Sequence, residues 1–393
     1  MENKLQKLHL RLCSCAVFRG VFKNSVFAFF EEYAKSGTQS EKMRAYAAFV
    51  GAIYQEGGSL TELVKKLVFQ DENVYIKQVA ANKAVDGQIL DSALRELSIF
   101  SQFAALTPDD FAQDIGVDKD ELPLFSAFEM DFPSAYAERL QQLPKYGYGI
   151  FSSAVMFRLS DGKHIEPIIS ADKTSRDRFI GYEMEREKVV ENTRAFLAGR
   201  PAANVLLCGD AGTGKSSTVK AIANDFYGEG LRLIELRKDQ LRYLPLVMAK
   251  INGNPLKFII FIDDLSFNKN NDDFSMLKAA LEGSASATAD NAVIYATSNR
   301  RHIIKESFSD REGDDVHVND TLQETLSLSD RFGLTVLFSR PDKKLYLTIV
   351  RELAKRYAID MDEQELELQA EAFALKKGGR SARGAEQFID SLR

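Results

Sequence analysis

The sequence predicts an α/β protein: a parallel sheet covered by helices, preceded by a long, mostly helical N-terminal region and followed by a short helical C-terminal part. Three observations point there. Residues 1–150 carry helix-start signals but no persistent strand-type alternation. From about residue 178, short apolar runs of strand length alternate with helical stretches. A glycine-rich octapeptide links the first of those runs to a helix.

Composition bounds the reading further. The chain has 393 residues, 45% hydrophobic and 27% charged, which is the mix of an ordinary globular protein with length for two or three cores. Its 51 Lys and Arg against 57 Asp and Glu give a net charge of −6. That argues against a dedicated nucleic-acid binder and leaves a local basic face open. Three cysteines, two of them in Cys13-Ser14-Cys15, exclude a disulfide framework and a four-ligand zinc site, and a reducing cytoplasmic compartment fits them best. No apolar run approaches 18 residues, so no membrane span is expected. Lys4, Lys7 and Arg11 precede an apolar region that Arg19 and Lys23 interrupt, unlike a signal-peptide core. Leu5, Leu8, Leu12, Cys15, Phe22, Val26 and Phe29 predict an amphipathic helix with a solvated basic face.

Taken in order, the elements begin with helices. Ser59-Leu60-Thr61-Glu62 has capping-box form, and Thr107-Pro108-Asp109-Asp110 places a cap, a first-turn proline and two carboxylates at another start. The breaker-rich Pro144-Lys145-Tyr146-Gly147-Tyr148-Gly149 marks a boundary. Ala154 to Leu159 and His164 to Ile169 flank Asp161-Gly162 as a β-hairpin. Val205 to Cys208, Leu231 to Leu236, Phe258 to Ile262, Ala292 to Thr297 and Leu334 to Phe338 then read as strands buried on both faces. Their separation demands crossover helices and hence a parallel sheet. The expected division is 1–150, a helical domain; 151–177, a hairpin and linker; 178–340, the α/β domain; and 341–393, a helical lid. Gly283 to Asp290 reads as a loop, and the acidic Ser307 to Asp320 as a solvated insertion or a partner-binding loop.

Gly209-Asp210-Ala211-Gly212-Thr213-Gly214-Lys215-Ser216 fits the phosphate-binding pattern GxxxxGK[ST] in full, after a strand and opening a helix at Ser217. Glycines let backbone N–H groups turn inward, and the helix N-terminus adds positive potential where phosphate oxygens sit. Lys215 would reach the β- and γ-phosphates of ATP, and the Ser216 hydroxyl would complete a Mg²⁺ shell. Phe258 to Ile262 ends in Asp263-Asp264; Asp263 stands where an outer magnesium ligand is needed, and Asp264 can orient the attacking water. His9, His164, His302 and His317 are scattered without ligand spacing, so no metal other than magnesium is expected. Cys208 reads as a small buried hydrophobe.

These motifs, in this order, resemble the AAA+ ATPases over about residues 178–393. The resemblance implies that Asn299, ending Ile294-Tyr295-Ala296-Thr297-Ser298-Asn299, is the sensor-one residue beside the γ-phosphate. It makes Arg331, in Ser329-Asp330-Arg331-Phe332-Gly333, an arginine finger; local pairing with Asp330 is the alternative. Gly379-Arg380-Ser381-Ala382-Arg383 resembles sensor two, with Arg383 favoured over Arg380. Arg178-Phe179-Ile180-Gly181-Tyr182-Glu183 resembles the segment against the adenine, which adds Gly181 to the binding set. The Asp-Asp pair and the Ser-Asp-Arg-Phe-Gly-Leu run are similar to the initiator and helicase-loader branch. The chain as a whole looks most like an uncharacterised bacterial family of AAA+ ATPases of unknown function.

Two departures qualify what the resemblance implies. Most AAA+ enzymes have Glu where Asp264 stands. Asp is shorter by one C–C bond, ~1.5 Å, and misplacing a catalytic group by about 1 Å can cost on the order of a hundredfold. Hydrolysis is therefore expected to be slow. No aromatic–hydrophobic–glycine loop follows the second strand, where Arg237-Lys238-Asp239-Gln240-Leu241-Arg242-Tyr243-Leu244 stands instead. The sequence thus points to an ATP–Mg²⁺ switch that remodels an unidentified protein or DNA partner through its N-terminal domain. It would be a homo-oligomer with Arg331 acting in trans. A DNA-replication or helicase-loading factor and a non-hydrolysing ATP-binding scaffold are the alternatives.

Overall fold

A computed structural model describes residues 4–161, 163–170, 174–265, 277, 281, 289–299 and 331–393. The chain divides into two units, Met1–Ser153 with Gly253–Pro255, and Ala154–Asn252 with Leu256–Arg393. The first unit is helical, and most of its helices start where a side chain satisfies the orphan N–H groups of a first turn. Its helices are α1 (Lys4–Cys13), α2 (Ser25–Lys35), α3 (Gln39–Gln55), α4 (Leu60–Gln70), α5 (Val74–Ala80), α6 (Gly87–Ala104), α7 (Pro108–Ile115), α8 (Phe132–Gln141) and α9 (Leu143–Tyr146). Thr38 and Glu41 form a full capping box at α3. Asp110 accepts the Thr107 backbone N–H at 2.9 Å at the start of α7. Buried aromatics, Phe30, Phe49, Phe103 and Phe111 among them, join these helices into one core.

The N-terminal amphipathic helix is not continuous. It stops at Cys13, passes through a 3₁₀ turn at Arg19–Lys23, and restarts at Ser25. The cause lies on α6. The fully buried Glu96 carboxylate accepts backbone N–H groups from Ala16 at 2.7 Å, Val17 at 3.1 Å and Phe18 at 3.0 Å. Those three donors are lost to any helix, and Asn24 then caps the next one by accepting from Val26. Leu5, Leu8, Leu12, Cys15 and Val26 are buried all the same.

The second unit is built on a seven-stranded sheet of order β2-β1-β4-β5-β6-β3-β7. The strands are β1 (Met156–Ser160), β2 (His164–Pro167), β3 (Val205–Gly209), β4 (Leu231–Leu236), β5 (Lys257–Ile262), β6 (Ala292–Ser298) and β7 (Leu334–Phe338). The hairpin β1–β2 is antiparallel, and β1 adds to β4 in parallel, so the hairpin forms one edge of the sheet. All other pairings are parallel. Strand β3 is buried throughout, as its uninterrupted apolar run requires. Helices α10 (Glu183–Leu197), α11 (Lys215–Asp225) and α12 (Leu244–Ile251) belong to the same unit.

The chain ends in α13 (Lys343–Arg356), α14 (Glu363–Lys376) and α15 (Ala382–Asp390), which share a small core around Tyr346, Val350, Ala370 and Phe388. The phosphate-loop strand β3 lies one place in from the β7 edge of a largely parallel sheet, and a helical lid follows it, which is the α/β P-loop arrangement that the sequence predicts. Among the described residues, no helix is long and apolar enough to cross a membrane. The insertion at 307–320, His302, His317 and most of the loop at 283–290 lie outside the described residues.

The Glu96 anchor has a measurable consequence. Glu96→Ala strands the buried Phe18 N–H and the part-buried N–H groups of Ala16 and Val17, and is expected to cost on the order of 3 kcal/mol in the N-terminal unit. Urea denaturation followed by circular dichroism should show that unit's midpoint fall; an unmoved midpoint would mean the turn is held by packing alone.

Candidate nucleotide-binding site

Parallel strands end on the same edge of a sheet, so the loops after β3, β5 and β6 meet there. Strand β3 ends at Gly209, whose φ is +131° and where a Cβ would sit 2.1 Å from the Phe338 carbonyl oxygen of β7. No side chain fits. The Asp210 N–H donates to that same carbonyl at 3.2 Å. Gly212 and Gly214 also have left-handed φ, +75° and +87°. Ala211 is exposed, while Thr213 is buried and donates its hydroxyl to the Asp210 carbonyl at 2.9 Å. Helix α11 then begins at Lys215, so the N–H groups of its first turn, Ser216 and Ser217 among them, face the loop without intrahelical partners.

The polar side chains form two linked pairs. Lys215 Nζ donates to the carbonyls of Gly209 and Asp210 at 3.0 and 2.6 Å and to Asn299 Oδ1 at 3.0 Å. Asn299 Nδ2 donates in turn to Asp264 Oδ1 at 2.8 Å. Ser216 Oγ donates to Asp263 Oδ1 at 2.6 Å. Burial lowers the Lys215 pKa, with Asp210, Asp263 and Asp264 among the groups opposing it. Asp264 has a φ of +55°, a left-handed conformation that Asp tolerates better than most residues.

Thr297, on β6, went unnoticed in the sequence. Its hydroxyl donates to Asp263 Oδ1 at 2.6 Å and accepts the Asp264 backbone N–H at 2.9 Å, so one atom fixes the Asp263 carboxylate and the Asp264 main chain. The signal was a pair of hydroxyl residues, Thr297 and Ser298, ending an apolar strand. Cys208 is buried, and burial raises its thiol pKa.

On the other side of the loop, a cavity runs between Phe179 and Ile180, the glycines Gly212 and Gly214, and Leu353 and Arg383 of the lid. Gly181 has φ +78°, and a Cβ there would meet Leu345 Cδ1 at 2.8 Å. The Arg383 N–H donates to the Gly212 carbonyl at 3.1 Å. Arg380 does not line this cavity; its guanidinium pairs with Glu371 at 2.6 and 2.8 Å. A second residue the sequence did not disclose, Arg186 of α10, lines the cavity and is buried.

Arg331 lies elsewhere. Leu334 is level with Val205 and Phe338 with Gly209, so β7 runs from Arg331 toward the loop. Four steps of ~3.3 Å, about 13 Å of strand, separate the two ends. The chain does not bring Arg331 into its own site. Its neighbours Ser329 and Asp330 lie outside the described residues.

Because Thr297 orients the ligand-type carboxylate, Thr297→Val is expected to raise the Mg²⁺ concentration needed for half-maximal nucleotide binding about tenfold. Titrating magnesium at fixed nucleotide checks it; an identical curve would make the hydroxyl a strand detail only.

Comparison with known proteins adds the following. Thermotoga maritima RuvB, titled a Holliday junction branch migration motor, is 14% identical over 56% of this chain and 72% of its own, with a TM-score of 0.34. A variant of the same protein is 15% identical over 57% and 73%, also at 0.34. No curated protein matches the chain. The model of a family described as "Protein of unknown function (DUF815)" matches residues 152–393. That is more than half of the sequence, and the chain belongs to this family.

Proposed function

We propose that the protein binds ATP with Mg²⁺ and hydrolyses it slowly, using the cycle to switch or remodel a partner. The observation that carries this is the meeting of residues 209–216, 263–264 and 299 through the Lys215–Asn299–Asp264 and Ser216–Asp263 contacts. Backbone N–H groups of the glycine loop and the α11 N-terminus hold the phosphate oxygens. Lys215 neutralises charge at the terminal phosphates.

A hydroxyl and a carboxylate are hard oxygen donors, the set that Mg²⁺ takes from proteins alongside substrate phosphates. Ser216 and Asp263 would hold it. The ion, when bound, neutralises phosphate charge and aligns the leaving oxygen. Asp264 and Asn299 hold the attacking water. Its oxygen bonds to the γ-phosphorus as the bond to the ADP oxygen breaks, and Asp264 accepts the water's hydrogen bond. Arg383 reports the γ-phosphate to the lid, and Phe179 and Ile180 offer the base an apolar wall.

Arg331 supplies charge to a neighbouring copy in a head-to-tail assembly. The N-terminal unit is the adaptor for a protein or DNA partner. The place of Arg331 before the start of β7, at the end of that strand away from the phosphate loop, suits a role in trans.

Steady-state turnover should stay below tens per second, rise with protein concentration, and fall by on the order of a thousandfold in Arg331→Ala. Lys215→Ala should lose binding, while Asp264→Asn should bind ATP and not turn it over. Binding without any turnover in the native chain would favour the scaffold, and a turnover above that ceiling would refute a slow switch. Absence of calorimetric heat with ATP and Mg²⁺ would end the reading altogether.

A further inference from the structure

Arg186 is a buried cation, 8% exposed, in the wall of the nucleotide cavity. Its Nη1 donates to the Gly181 carbonyl, its Nε donates to Thr218 Oγ1 at 3.4 Å, and its guanidinium lies 4.5 Å from the centre of the Phe179 ring. None of these partners is charged. Burial pushes its pKa down to about 10, with Glu183 the largest opposing influence. An ionised group taken out of water without a counter-charge is costly unless something of opposite sign reaches it.

The remaining nitrogen, Nη2, lies 3.5 Å from where a Cβ on Gly214 would be. It therefore faces the middle of the phosphate loop, close to Ser217. Lys215 marks the other end, since its Nζ meets Asn299 beside Asp264. The two cations bracket the loop, with Arg186 on the side of the base and Lys215 on the side of the terminal phosphate.

We infer that Arg186 binds the phosphate nearest the nucleoside, the α-phosphate giving its guanidinium the charged contact that Gly181, Thr218 and Phe179 do not. This rests on the nucleotide-binding reading above and adds a ligand to that site. The same guanidinium holds the Gly181 carbonyl and covers Phe179, so arrival of the phosphate and fixing of the 178–182 segment are one event. A guanidinium suits this double task, because its planar fork can donate to backbone and phosphate at once.

The test compares Arg186→Gln and Arg186→Lys with the native chain in ADP and ATP titrations, alongside ligand-free melting curves. Gln can still donate to Gly181 but has no charge; Lys keeps the charge. The expectation is a loss of about tenfold or more in Arg186→Gln, equal for ADP and ATP because both carry the α-phosphate, and a smaller loss in Arg186→Lys. The ligand-free melting point of Arg186→Gln should hold or rise, since a buried charge that no carboxylate contacts directly has been removed. Equal affinity for Arg186→Gln and the native chain would overturn this inference and leave the nucleotide site standing. So would equal losses in both variants with a lowered ligand-free melting point, which would make Arg186 a packing element. Failure of the native chain to bind either nucleotide would remove the site and the inference together.

Discussion

In-register parallel pairing of β3 with β6 and β7, Cys208 opposite Ser298 and Gly209 opposite Phe338, is the constraint on which the site depends. It delivers Asn299 beside the start of the phosphate loop and seats the loop's first glycine against a backbone carbonyl. Strand β5 pairs with β6 as Ile262 opposite Ala296, which leaves Asp263 and Asp264 beside Thr297. A slip of one residue would turn every side chain to the other face, and both linked pairs would come apart. Full burial of β3 makes such a slip expensive, because apolar surface would have to be exposed along its length.

How much of this could be read from the letters depends on the range of the interaction involved. Val205 to Cys208 and Phe258 to Ile262 declare themselves because burial on both faces forces an unbroken apolar run. The glycine pattern of 209–214 declares itself because left-handed backbone leaves few alternatives. Both constraints act within a few residues. Glu96 interrupting a helix some eighty residues upstream in sequence, Thr297 holding the Asp263 carboxylate and the Asp264 N–H beyond the end of β5, and Arg186 reaching the loop after β3 are contacts between distant segments. Nothing local distinguishes Glu96 from the exposed Asp91 of the same helix. Arg380 and Arg383 stand three residues apart in one motif, and the Glu371 partner that Arg380 takes is another such distant contact.

The electrostatics of the cavity are arranged around an anion. Lys215 and Arg186 are both buried, both shifted downward by that burial, and both bonded mainly to uncharged groups on their inner sides. The partial positive charge at the α11 N-terminus adds to the same field. Asp263 and Asp264 are held to one side by Thr297 and Asn299, leaving the centre of the loop to backbone N–H groups. On the function proposed above, a polyphosphate with a divalent ion would satisfy both halves, the cations taking the phosphates and the Ser216–Asp263 pair the ion. A carboxylate or a single phosphate would satisfy only one of them.

The loop is also stitched to the lid at two points, which bears on how a change at the phosphates could travel. Asp210 Oδ2 accepts the Arg340 backbone N–H at 2.8 Å, and Arg340 Nη1 donates to the Gly378 carbonyl at 3.3 Å. On the far side, the Gly212 carbonyl accepts from the Arg383 N–H at the start of α15. The connection into the lid and its last helix are therefore both bonded to consecutive turns of one small loop. A Cβ on Gly212 would come within 3.3 Å of Arg383 Cβ and 3.4 Å of Ser381 Cβ, so the approach is close as well as hydrogen-bonded. A loop that shifts by a fraction of an ångström between nucleotide states cannot keep both stitches unless the lid moves with it. Packed elements answer such a shift by moving as bodies rather than by deforming, and the lid has its own small core with which to do so.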